Sequence, residues 1–98
     1  MKLNIGDVVR LKVPVLGNKI NDIGVVFNTY ADFSGNGIAA QVIFSNGEYD
    51  GFSVNDQIRF LNKESITVKT EKIINYKFSN AMQVSRDYNN GFWDEILK

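Results

Sequence analysis

The chain contains neither cysteine nor histidine among its 98 residues. Without cysteine there is no disulfide, no thiolate nucleophile and no cysteine-ligated metal. Without histidine, the usual general base near neutral pH and the commonest metal ligand are missing as well. Carboxylates, lysines, tyrosines and hydroxyls remain, and no nucleophile–base pair is recognisable among them. Asp50 with Asp56, and Asp94 with Glu95, come nearest to paired carboxylates. Neither pair has the companions of an EF-hand loop, so both read as solvated charges. The chain is therefore expected not to be an enzyme and to hold no metal or cofactor.

An excess of either charge is also lacking. Eleven basic residues balance eleven acidic ones, four of each up to Tyr49 and seven of each from Asp50 onward. Such a chain lacks the broad positive field on which non-specific nucleic-acid binding rests. One local exception is the group Lys63, Lys69, Lys72 and Lys77, interrupted only by Glu64 and Glu71. These lysines are either solvated strand and linker positions or a basic face for nucleic acid. No apolar run approaches the ~18 residues of a membrane span. Residues 1–7 lack the apolar stretch of a signal peptide, and there is no Asn-x-Ser/Thr sequon. These absences together lead to the expectation of a cytoplasmic protein.

What is present is strand periodicity. From Asp7 to Val13, Val9, Leu11 and Val13 alternate with Arg10 and Lys12 until Pro14. Gly17-Asn18 offers turn chemistry in the loop that follows, which reaches about Asp22. A second strand runs from Ile23 to Tyr30, with Val25, Phe27 and Thr29 opposite Val26, Asn28 and Tyr30. After the glycine-rich loop 32–37, strands at Ile38–Ser45 and Glu48–Phe52 flank Asn46-Gly47, a pair suited to a two-residue type I′ hairpin. Ser53 fits a helix N-cap with Asp56 three positions on, predicting a short helix or 3₁₀ turn from Val54 to about Leu61. Ile66–Thr70 alternates as a fifth strand, and Ile73 and Ile74 either extend it or cover an open end. Farther on, Ser79 is placed as cap of a helix with the apolar stripe Ala81, Val84 and Tyr88, ended by Gly91.

These elements predict one mainly β domain: a small SH3-like barrel of about five strands over residues 3–70, carrying a C-terminal helical extension over 71–98. The barrel region resembles Tudor, chromo-barrel and KOW domains. The resemblance lies in Gly6-Asp7-Val8-Val9-Arg10-Leu11, in Gly24-Val25-Val26 and in Val42-Ile43-Phe44-Ser45-Asn46-Gly47. A KOW likeness implies basic loops for RNA or protein, whereas here those loops carry Asp22, Asp32 and Glu48. A Tudor likeness implies an aromatic cage for a methylated cation, for which Tyr30, Phe33, Tyr49 and Phe52 are the candidates. The segments Asn46–Ser53 and Gln83–Tyr88 also resemble small uncharacterised bacterial and phage proteins, which implies no known activity.

Partner-binding candidates are Tyr30, Phe33, Tyr49, Asp50, Phe52 and Trp93. Tyr49-Asp50-Gly51-Phe52 forms an exposed aromatic-acidic patch, or else Tyr49 and Phe52 pack in the core while Gly51 marks a bulge or close approach. Phe33 either anchors a partner or folds back over the barrel mouth. Trp93 either pins the tail to the barrel or serves as an interface hot spot. The tail residues Phe92, Trp93, Ile96 and Leu97 also suit a homodimer, with or without exchange of the helix. The expected function is a non-catalytic protein-interaction module, of phage or mobile-element kind. The alternative is a nucleic-acid-associated accessory domain of KOW or Tudor kind.

Overall fold

The structure is a computed structural model that describes residues 2–35, 37–67 and 71–97. Five strands alternate with turns and short helices. They are β1 (Asp7–Leu11), β2 (Ile23–Ala31), β3 (Ile38–Phe44), β4 (Tyr49–Phe52) and, after helix α1 (Val54–Phe60), β5 (Leu61–Thr67). Three helices follow: α2 (Glu71–Ile74), α3 (Ala81–Asn89) and α4 (Asp94–Leu97). The strands make one antiparallel sheet in the order β4-β3-β2-β1-β5. Among the described residues β4 and β5 are its two open edges, and α1 connects them.

Both faces of the sheet are buried. Val9, Leu11, Val26, Ala40, Val42, Phe44, Phe52 and Leu61 form a core on the face against which Phe60 of α1 packs. On the other face Val8, Val25, Phe27 and Ile43 meet Ile73 of α2, Val84 of α3, Trp93 in the turn before α4 and Leu97 of α4. Adjacent valines in β1 and β2 therefore serve opposite cores. Covering both faces lets a 98-residue chain bury far more apolar surface than one-sided packing would.

The two-residue turn expected at Asn46-Gly47 is replaced by a longer one. Gly47 N–H donates to Phe44 O at 2.9 Å, and of this pair only Gly47 has positive φ (87°), as in a type I turn closed by a glycine bulge. The turn with two positive φ values is instead Leu16-Gly17 (50° and 81°), between the bridged residues Val15 and Asn18. A leucine there gives no turn signal, because its left-handed backbone is held from outside the hairpin: Asn46 Nδ2 donates to Leu16 O at 2.9 Å.

Other boundaries shift for local reasons. β1 ends at Leu11 rather than Val13, and Val13 is exposed. β5 covers residues 61–67 rather than 66–70, because pairing with β1 (Leu11↔Leu61, Val9↔Lys63) places its polar residues on an edge strand. Residues 68–70 of the expected strand lie outside the described residues. The register of β2 on β3 slips at Phe27, so the bulge is there and not at Gly51. Asn80, not Ser79, caps α3 by accepting from Gln83 N. The α3 C-terminus closes through Phe92 N–H to Asp87 O and Gly91 N–H to Tyr88 O, with Gly91 at φ 83°, as its position predicted. Helix α1 follows its expectation, with Ser53 Oγ accepting from Asp56 N.

Candidate functional site

Six residues were singled out as partner-binding candidates, and the structure divides them by burial. Phe52 faces the α1-side core and stacks edge to face with Phe44 and Phe60. Trp93 is fully buried against Phe27, Tyr76 and Phe92, with ring centroids 4.8–5.6 Å apart. These two are core residues, so the partner-anchor alternative fails for both. Tyr49 is half-buried, edge to face with Phe27 and Phe78. A four-aromatic cage is therefore not assembled: Phe52 lies on one face of the sheet, Tyr49 packs on the other, and Phe33 stands clear of both.

The remaining three candidates belong to one end of the sheet. Tyr30 lies near the end of β2, where its hydroxyl covers Gly51; a Cβ on that glycine would come within 2.6 Å of the oxygen. This close approach puts Tyr30 beside Asp50. Burial raises the Tyr30 phenol above its usual value, and the carboxylates of Asp32, Asp50 and Asp56 raise it further. Asp32 and Asp56 were not among the partner-binding candidates. Asp32 opens the β2–β3 loop and Asp56 lies in the first turn of α1.

Asp32 organises this end. Its carboxylate accepts from Ser34 N at 3.0 Å and from Val54 N, the first amide of α1, at 2.7 Å. Those two bonds hold its pKa below the usual carboxylate value. The loop closes on itself through Asp32 N to Gly37 O and Gly35 N to Asp32 O. Inside this braced loop Phe33 is 100% exposed. Beneath it, Gln57 joins α1 to both neighbouring strands, donating from Nε2 to Ile38 O and Phe52 O.

No family model, no curated protein and no solved structure matches the chain.

The ion pairs found among the described residues, Arg10–Glu64 and Lys63–Asp7, leave Asp32, Asp50 and Asp56 without a cation. No cluster of three potential metal ligands occurs among the described residues, so these carboxylates surround a tyrosine without converging on one point. A concavity of about 460 Å³ runs along α3, lined by Ala81, Met82, Ser85, Arg86, Asn89 and Asn90. Arg86 is the sole titratable group in that lining, which gives no acid–base pair.

The lysine group does not come together as one described surface. Lys63 sits 3.4 Å from Asp7 and donates to Lys2 O. Lys77 is exposed in the segment between α2 and α3. Lys69 lies outside the described residues, and so does the side chain of Lys72. No described helix is long and apolar enough to cross a membrane.

Proposed function

We infer that the chain is a non-catalytic protein-interaction module whose contact surface is the end of the sheet around Tyr30, Phe33 and Asp50. One observation carries this reading: a phenylalanine is fully exposed on a loop that two Asp32 hydrogen bonds hold in place. A fully exposed aromatic offers a large apolar contact, the property of interface hot spots. Asp32, Asp50 and Asp56 put negative charge around the neighbouring Tyr30, which favours a partner surface of opposite sign.

The same reading treats the scaffold as SH3-like. Its support is the strand order β4-β3-β2-β1-β5, with a helical turn between β4 and β5 bringing the last strand back beside the first. In such a scaffold the loops between strands carry recognition while the strands supply rigidity.

The test is capture from a lysate of the source cell with the tagged protein, with and without nuclease, washed at low and then at high salt. A discrete protein retained after nuclease, and lost from Phe33→Ala, supports the reading. Release of everything by nuclease, or by salt with the steepness of phosphate contacts, would replace it with the nucleic-acid alternative.

A further inference from the structure

The two ends of the sheet differ in chemistry. At the end just described, Phe33 is exposed on the loop that Asp32 ties to the start of α1, Asp56 lies in the first turn of that helix, and Asp50 adjoins Gly51 under Tyr30. At the opposite end the β1–β2 loop exposes Lys12, Val13, Leu16, Lys19 and Ile20, with Ile20 55% exposed. The last turn of α1 adds exposed Ile58 and Arg59. Loop and helix end form one surface there, since Lys12 Nζ donates to Ile58 O and Lys12 N to Phe60 O. The loop's own acid, Asp22, accepts from Lys19 N at 2.8 Å; Glu48 is exposed on the neighbouring turn.

Connectivity keeps these ends apart. Helix α1 begins at Asp32, whose carboxylate takes the Val54 amide, and finishes beside Lys12. The β3–β4 turn meets the basic end through Asn46 and Leu16, at the far end of β3 from the Phe33 loop. One copy therefore cannot satisfy its acidic aromatic end with its own basic apolar end. The chain's net charge of zero means that no overall repulsion opposes a second copy.

We propose that the acidic aromatic end of one copy takes the basic apolar end of a second copy of this chain, in a head-to-tail contact. This rests on the reading of the Phe33 end as a contact surface, and it names the occupant. Charge complementarity selects the pairing: three carboxylates with no ion-pair partner among the described residues face Lys12, Lys19 and Arg59, while Phe33 meets exposed Leu16, Ile20 and Ile58. The two surfaces differ, so the contact is heterologous and each copy added leaves one end open, unless a ring closes.

Two double variants test the pairing by analytical ultracentrifugation. Phe33→Ala/Asp50→Lys disables the acidic end, and Lys19→Glu/Ile20→Asp disables the basic end. All four positions are exposed, and thermal melts of both variants check folding; Phe33→Ser and Ile20→Ser replace a double variant that melts early. The wild type is expected to grow in mass with concentration and to weaken with salt. Each variant alone is expected to associate about tenfold or more weakly. Mixed in equal amounts, the two variants are expected to give dimers that grow no further. A wild type that stays monomeric, a variant that still self-associates, or a mixture without dimers overturns the proposal. If the wild type is monomeric while Phe33-dependent capture from lysate persists, the head-to-tail pairing falls and the interaction module stands with another protein as partner.

Discussion

Asn46 in the β3–β4 turn holds Leu16 in the tip of the β1–β2 hairpin, with its side-chain amide 2.9 Å from the leucine carbonyl. Asn46 Oδ1 also accepts from buried Asn18 at 3.1 Å and from Glu48 N at 3.0 Å. One side chain thus closes its own turn and fixes a neighbouring hairpin whose leucine has φ 50°. Asn46→Ala leaves Asn18 with less hydrogen bonding and removes the external support for Leu16. It is expected to cost ~1–3 kcal/mol in urea unfolding. Leu16→Gly relieves the left-handed backbone at an exposed site and is expected to be neutral or stabilising by up to ~1 kcal/mol.

Glycines 24 and 51 give opposite outcomes from one substitution. A Cβ at Gly24 would lie 2.6 Å from Val42 and 2.9 Å from Phe44, two fully buried side chains of the α1-side core. Gly24→Ala is expected to cost ~1–3 kcal/mol, because neither neighbour has room to retreat. At Gly51 the clash is with the hydroxyl at the end of half-buried Tyr30, which swings outward at small cost. Gly51→Ala is therefore expected to cost less than ~1 kcal/mol and to alter the tyrosine absorbance titration.

Asp32 links stability to acid. Its folded pKa lies below the usual value, so its contribution is fully present above the ordinary aspartate range and is lost as pH falls through the lowered folded value. Asp32→Ala is expected to be less stable than wild type at neutral pH. The gap should narrow below about pH 4, where the carboxylate of the unfolded chain is already protonated. Urea midpoints across that range measure it; a constant gap would show that the carboxylate's charge plays no part.

Trp93 tests the tail. Its ring fills the core between sheet and helices, but Nε1 has no hydrogen-bond partner among the described residues. Trp93→Ala is expected to cost ~3–5 kcal/mol through the cavity it leaves. Trp93→Phe keeps most of the ring and gives up no hydrogen bond, so it is expected to recover more than half of that loss, read by thermal melts.

Much of this fold was legible because its strands and α1 carry local signals: valine-rich alternation, Pro14, and the Ser53–Asp56 cap. What escaped was decided at a distance. Val8 and Val25 are buried because the C-terminal helices cover their face, and periodicity in β1 and β2 does not record that cover. β5 begins at Leu61 through pairing with β1 despite the polar run Asn62-Lys63-Glu64. Leu16 turns because Asn46 holds it. At the candidate site Phe33 and Asp50 were visible as a loop aromatic and a strand carboxylate. Asp32 and Asp56 became part of it only when α1 docked on the β2–β3 loop.

The most direct test of the contact surface places a photo-crosslinking phenylalanine analogue at position 33, and at position 82 as control, since Met82 is 81% exposed on α3. After irradiation in a lysate of the source cell, mass spectrometry identifies what each position has captured, including a second copy of the chain itself. The account predicts a discrete protein adduct from position 33 and none from position 82. A discrete adduct from position 82 with none from 33 would contradict it and move the contact surface to the outer face of α3.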